Sequence, residues 1–380
     1  LEAFIDLKVS SQCFCGSTGY GHGDLGRDIL AKVYAKVFGG ENAIITPLLT
    51  CGTHAITTVL YGLLRRGDLM LTVTGIPYDT IHDSIFGKGN SSLEDYGVTY
   101  KQIELCRDGN LDIEKICKVV KKEKPKMVYL QRSRGYSNRK AIAPRNMKPL
   151  FDEIKRLSPN TFIVVDNCYG EFVDTIEPTD VGADVIVGSL IKNPGGGIAP
   201  TGGYIVGTEK AIEMIATRFT NPSIKLEIGS YEMGYRLFYQ GLFLSPHTVA
   251  QALKGSLLVG QVMQDKGYQI FPLNDEQPQD IIKSIVFDNE EELIKFVQIV
   301  QTVSPVDGYV LPMPWEMPGY KDKVIMAAGT FVGGASIELS CDSPIRAPYI
   351  AYFQGGLTYE HIKVFAEKLA NDDTFKGVID

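Results

Sequence analysis

Short apolar runs bounded by polar or glycine-rich turns alternate with longer amphipathic stretches through the first half of the chain. The runs at residues 43–46, 69–73, 98–103, 126–131, 161–165 and 185–187 are rich in β-branched side chains and predict strands, and Tyr204-Ile-Val206 predicts another. Between them, residues 111–122 and 146–157 carry helical spacing. Upstream, Asp24 can cap a helix whose stripe is Ile29, Leu30, Val33, Tyr34 and Val37, and Gly39-Gly40 stops it. Strands that are apolar on both faces and alternate with helices predict an α/β architecture, a mostly parallel sheet covered on both sides. In such sheets ligands gather at the carboxyl ends of the strands.

The pattern changes toward the C-terminus. A long helix over residues 247–266 is predicted to lead out of the first unit, and composition shifts after Gly267. A strand at 284–287, a helix at 290–303, a proline-rich crossing at 311–318, strands near Val324 and over 336–339, and a helix at 358–370 then predict a smaller α+β unit. The expected division is an N-terminal arm at 1–23, a large domain at 24–246, the connecting helix at 247–266 and a small domain at 267–380.

Composition narrows the function classes. The 380 residues are 44% hydrophobic and 22% charged, with a net charge of −7, so no basic field is present to attract nucleic acid or an anionic membrane. No apolar run approaches the ~18 residues of a spanning helix, and no signal peptide is visible, so a cytoplasmic location is expected. The chain starts at Leu1, and a segment ahead of it is expected. Seven scattered cysteines argue against a disulfide framework, and neither Cys13-Phe-Cys15 nor the five histidines stand at ligand spacing, so no metal is expected.

Candidate chemistry lies where strands end. The first is Lys192, which follows the apolar run 185–187 and opens a loop with five glycines and two prolines before Tyr204. A partly desolvated lysine with a lowered pKa is a nucleophile toward aldehydes, the Schiff-base chemistry of pyridoxal phosphate. A phosphate-loop reading fails because the lysine precedes the glycines. Asp166 ends the strand at 161–165; it is either a turn cap, a Mg²⁺ ligand, or the carboxylate that pairs with a protonated pyridine nitrogen. Gly52, Thr53 and His54 stand at a strand-to-helix turn whose free N–H groups suit a phosphate, or simply cap the helix. Tyr78 could stack on a flat ring or pack on its own strand. Arg132 and Arg134 end another strand, and Arg346 sits in a proline-bracketed loop; each could bind a carboxylate or be a solvated surface charge.

Taken with Gly19-Tyr-Gly-His-Gly-Asp-Leu-Gly-Arg-Asp28, Cys51-Gly-Thr-His-Ala-Ile56, Gly75-Ile-Pro-Tyr-Asp79, Gln131-Arg-Ser-Arg-Gly-Tyr136, Tyr239-Gln-Gly-Leu-Phe243 and Gln354-Gly-Gly-Leu-Thr-Tyr-Glu-His361, these residues give the chain a specific likeness. It resembles the fold-type I pyridoxal-phosphate enzymes, and within them the cystathionine β-lyase or methionine γ-lyase related family connected with aluminium resistance. The resemblance implies a large domain with a mostly parallel seven-stranded sheet and a smaller C-terminal α+β domain. It implies pyridoxal 5′-phosphate held by Lys192 as an internal aldimine, Asp166 on the pyridine nitrogen, Tyr78 on the ring, and Gly52, Thr53 and Ser189 around the phosphate. In the related lyases a Tyr-x-Arg pair of the neighbouring subunit reaches that phosphate. Here Tyr20 stands in the tyrosine place, His22 replaces the arginine, and Arg27 is the nearest basic alternative. Arg346 is the implied holder of the substrate carboxylate, with Arg132 and Arg134 as competitors. The implied activity is a carbon–sulfur lyase on a sulfur-containing amino acid, in a homodimer or homotetramer with sites across the interface. The alternatives are another pyridoxal-phosphate reaction, such as transamination, racemisation or aldol cleavage, or a protein that binds the cofactor without catalysis.

Overall fold

A computed structural model describes residues 1–137, 139–318 and 320–375. Seven strands form one sheet: β1 (Asn42–Thr46), β2 (Leu69–Thr72), β3 (Thr99–Gln102), β4 (Met127–Gln131), β5 (Phe162–Asp166), β6 (Val185–Ser189) and β7 (Gly203–Gly207). Their order is β1-β7-β6-β5-β4-β2-β3. The β7 strand runs antiparallel to both its neighbours, and the other pairings are parallel. Strands β4 to β7 are buried along their whole length, which is why they read as unbroken apolar runs. Helices cover both faces: Leu25–Val37 and Pro144–Leu157 pack into one core, Gly52–Leu63 and Glu209–Phe219 into the other. Asp24 caps the first of these as expected, accepting from the Arg27 N–H at 3.0 Å.

A five-stranded antiparallel sheet follows, built from β8 (Gln269–Phe271), β9 (Ile282–Phe287), β10 (Val324–Ala327), β11 (Ser340–Pro344) and β12 (Tyr349–Gln354) in the order β10-β11-β12-β9-β8. Helices Glu290–Thr302 and Tyr359–Ala370 pack on it through Phe296, Val300, Phe365 and Leu369. The protein therefore has the α/β fold of a large, mostly parallel seven-stranded sheet with a smaller α+β unit. Among the described residues, no helix is long and apolar enough to cross a membrane.

Two expectations need correction. The long helix spans Arg236–Asp265 and runs through Pro246, where a start at His247 was expected. An interior proline costs about 3 kcal/mol. Phe238, Tyr239 and Leu242 are all buried on the segment before it, each at roughly 1.5–3 kcal/mol, and together they outweigh the proline. The strand expected over 336–339 begins instead at the next residue, as β11. Residues 336–339 form a turn held by the buried Glu338 carboxylate, which accepts from the Phe331 and Val332 N–H groups at 2.9 Å.

Candidate functional site

Asp166 and Lys192 come together because their strands are neighbours. Parallel pairing of β5 with β6 sets Asp166 opposite Val187, and the chain leaves β6 at Ser189 to reach Lys192 three residues on. The turn after β5 is tight: Tyr169 adopts a left-handed backbone with φ 69°, an uncommon conformation for a bulky residue. This places its ring under Lys192, whose Nζ stands 4.1 Å from the ring centroid. The glycine loop beyond is closely packed, since a Cβ on Gly195 would come within 1.9 Å of the Leu190 carbonyl oxygen.

Both residues line a cavity of about 250 Å³ between the carboxyl ends of the large sheet and the small sheet. Gly52 and Thr53, at the N-terminus of helix Gly52–Leu63, form one end of it with Ser189. Tyr78 lines another wall; its N–H donates to Gln131 Oε1 at 2.9 Å, which fixes the loop after β2 against β4. His54 turns away: its Nδ1 accepts from the Thr50 N–H at 3.2 Å, and only its backbone N–H stays at the turn, donating to the Cys51 sulfur at 3.4 Å.

The charges in this cavity interact. Burial pushes the Asp166 carboxyl above the ordinary carboxylate range, although Lys192 and the Cys168 N–H at 3.1 Å draw it back. For Lys192, burial alone would lower the pKa, but Cys168, Tyr169, Asp166 and Glu171 outweigh it and the net direction is upward. The expected lowering is thus reversed, because the acidic groups of the turn after β5, from Asp166 to Glu171, surround the ammonium. Glu171, fully buried behind the loop, is raised to about 8 by burial and accepts from the Tyr204 hydroxyl at 2.7 Å.

The arginines lie elsewhere. Arg132 is fully buried and faces away from the cavity, with its Nη1 donating to Asn167 Oδ1 at 2.7 Å and to Glu177 Oε2 at 3.2 Å. Arg134, also buried, ties the loop after β4 to the small unit through Asp280 at 3.5 Å, the Phe271 carbonyl at 3.0 Å and Ser284 Oγ at 3.1 Å. Arg346 is exposed and paired with Asp322 at 2.8 Å. Arg134 and Arg346 border a second, outer cavity of about 780 Å³, which shares Tyr78, Tyr136 and Tyr320 with the first. Among the described residues, no arginine or histidine lines the Lys192 cavity. Tyr20 is exposed, and Arg27 Nη1 is held by the Gly21 and Gly229 carbonyls at 3.0 and 3.1 Å; neither reaches the cavity of its own chain.

Tyr136, Tyr169, Tyr320, Asp342 and Gln354 line the cavity and were not singled out from the sequence. The Tyr78 and Tyr320 hydroxyls are 2.7 Å apart, and Gln354 Nε2 donates to Asp342 Oδ2 at 3.2 Å. Only the alternation along β11 carried a signal, with polar Ser340 and Asp342 facing the cavity and Cys341 in the core.

These residues fit pyridoxal phosphate. The Gly52 and Thr53 N–H groups are the first two of a helix and have no intrahelical partner, as a phosphate site requires. A Cβ at Gly52 would stand 3.1 Å from the Ser189 Cβ, so glycine keeps that cradle open. An ammonium that has no carboxylate within ion-pair distance among the described residues, and a buried carboxylate at the neighbouring strand end, supply the groups for the aldehyde and the ring nitrogen.

Comparison with known proteins agrees with the fold and with the cofactor. The family model described as methionine gamma-lyase matches residues 1–373. A solved structure described as a carbon-sulfur lyase involved in aluminum resistance, from Clostridium novyi NT, is 47% identical with a TM-score of 0.93, over 97% of this chain and 87% of that one. An uncharacterised protein of Bacillus subtilis is 46% identical over 96% of this chain and 87% of its own length. At 15% identity and a TM-score of 0.62, cystathionine gamma synthase of Xanthomonas oryzae shares the fold, over 92% of this chain and 86% of that one.

Proposed function

The chain belongs to the methionine gamma-lyase family, and from that premise we propose that it is a carbon–sulfur lyase acting on a sulfur-containing amino acid. Its cofactor is pyridoxal 5′-phosphate. The observation that carries the reading is the meeting of Lys192 and Asp166 at adjacent parallel strand ends in one cavity.

When bound, the cofactor supplies an electron sink for the charge left as the α-proton departs, so that a β- or γ-thiolate can leave. The protein supplies the rest. Gly52, Thr53 and Ser189 would hold the phosphate, and Asp166 would keep a proton on the ring nitrogen. Tyr78, fixed through Gln131, would pack against the cofactor from the cavity wall. Lys192 takes the α-proton on Nζ. Its surroundings hold the free side chain as the ammonium, so it acts as a base only after that charge has been discharged. The Asp166 carboxylate and the face of the Tyr169 ring then stabilise the proton received on Nζ. The small sheet closes over the cavity and limits water.

We further place the protein as a homodimer or homotetramer in which Tyr20 and Arg27 serve the cofactor phosphate of the neighbouring subunit. Their positions outside their own cavity support this, and gel filtration tests the assembly.

The activity test is incubation of the holoprotein with cystathionine, methionine and cysteine, reading keto acid and thiol. Release of both supports the lyase. Keto acid that appears only with an added amino acceptor would replace it with transamination, and bound cofactor without turnover of any amino acid would replace it with a binding role.

A further inference from the structure

The roof of the Lys192 cavity carries a carboxylate that the lyase reading leaves without a task. On β11, Ser340 and Asp342 face the cavity, while Met326 and Tyr352 flank Asp342 on the neighbouring strands. Asp342 is partly exposed to the cavity, and Gln354 Nε2 holds its Oδ2 at 3.2 Å. Around it stand Tyr78, Tyr136, Tyr169 and Tyr320. The Tyr136 ring lies 5.8 Å from Tyr78, 5.7 Å from Tyr320 and 5.2 Å from Tyr352, so the aromatic wall is continuous.

Charge in the cavity is one-sided. Among the described residues its lining holds two carboxylates, Asp166 and Asp342, and one cation, Lys192. With Asp166 on the ring nitrogen and Lys192 on the cofactor, Asp342 remains as an unbalanced anion among neutral aromatic faces. A carboxylate framed by tyrosine rings is a receptor for an ammonium group, because the ring faces and the carboxylate attract the same charge. One of these rings already lies against an ammonium, Lys192 over Tyr169. An anionic substituent would meet the carboxylate, and a purely apolar one would leave it desolvated with only neutral partners, Gln354 and Tyr136.

We infer that Asp342, with Tyr136 and Tyr320, selects amino-acid substrates bearing an ammonium group beyond the sulfur. The inference rests on the pyridoxal-phosphate reading of the site, and it concerns the portion of substrate that leaves with the sulfur.

Three cysteine thioethers of similar size separate the cases: S-(2-aminoethyl)-L-cysteine, S-propyl-L-cysteine and S-carboxymethyl-L-cysteine. Each is titrated into the holoprotein while the cofactor absorbance is followed, which gives a dissociation constant whether or not turnover occurs. Keto acid release is measured in parallel. The aminoethyl compound is expected to bind about tenfold or more tighter than the propyl compound, with the carboxymethyl compound weakest. In Asp342→Asn, whose amide retains a contact with Gln354, the aminoethyl-to-propyl ratio is expected to fall to near one. Wild-type binding of the propyl or carboxymethyl compound as tight as that of the aminoethyl compound overturns the inference, and this comparison does not depend on the variant folding. A ratio unchanged in Asp342→Asn overturns the assignment to Asp342. If the binding order holds but neither these compounds nor cystathionine, methionine or cysteine yield keto acid, the selectivity stands and the lyase reading falls.

Discussion

Replacing Arg132 by methionine separates the two roles its place at a strand end allows. The guanidinium is fully buried, and its ion pair with Glu177 at 3.2 Å sits beside Asn167, whose Nδ2 donates to the same Glu177 oxygen at 2.9 Å. Methionine fills much of the space but leaves Glu177 buried with no cation. Breaking one side of such a pair costs about 3–5 kcal/mol. Unfolding entropy near 2.1 cal/mol/K per residue gives roughly 0.8 kcal/mol/K for 380 residues. The expected loss in Tm is therefore about 4–6 °C if the chain unfolds as a unit. Adding Glu177→Gln removes the stranded charge and should recover part of it. Differential scanning calorimetry reads the stability, and KM for the best substrate reads the site. A Tm within about 1 °C of wild type, together with a KM raised by about tenfold or more, would show that Arg132 holds the substrate carboxylate and that the structural reading is wrong.

Two other perturbations test neighbouring parts of the account. Gly195→Ala drives a Cβ against the Leu190 carbonyl, a backbone atom that cannot swing aside, so the variant should lose cofactor binding and at least about 1–3 kcal/mol of stability; unaltered cofactor absorbance and Tm would count against a tightly packed lysine loop. Glu171 has a folded pKa of about 8, above its ordinary value, so the native state binds the extra proton and stability declines as pH rises from about 4.5 toward 8. Glu171→Gln removes the ionisation, and its Tm relative to wild type should improve across that rise and level off above pH 8; a difference that does not change with pH would contradict a neutral Glu171.

Much of the large sheet was legible because its strands are buried on both faces and so appear as apolar runs between glycines. Lys192 and Asp166 were legible for the same reason, Asp166 ending such a run and Lys192 standing three residues past the end of another, on strands that pair. The small unit was harder. The β12 strand was missed because Tyr349-Ile-Ala-Tyr-Phe-Gln354 lacks a clean alternation, and β8 has only three residues. The helix at Arg236 was hidden by its proline, and 336–339 has the composition of a strand but is held in a turn by Glu338. Arginines were misleading in a different way. Their spacing shows reach toward a strand end, whereas their direction depends on Glu177, Asp280 and Asp322, which lie far along the chain. Tyr320 and Asp342 escaped notice because nothing local places them over Lys192; only the apposition of the two sheets does.

The most direct test of the central claim is to reduce the holoprotein with borohydride, digest it, and locate the cofactor by mass spectrometry. The account predicts a pyridoxyl phosphate mass on Lys192 Nζ in the wild-type chain and none in Lys192→Ala, with the aldimine absorbance lost in that variant. A modified lysine other than Lys192, or an unchanged absorbance in Lys192→Ala, would contradict it.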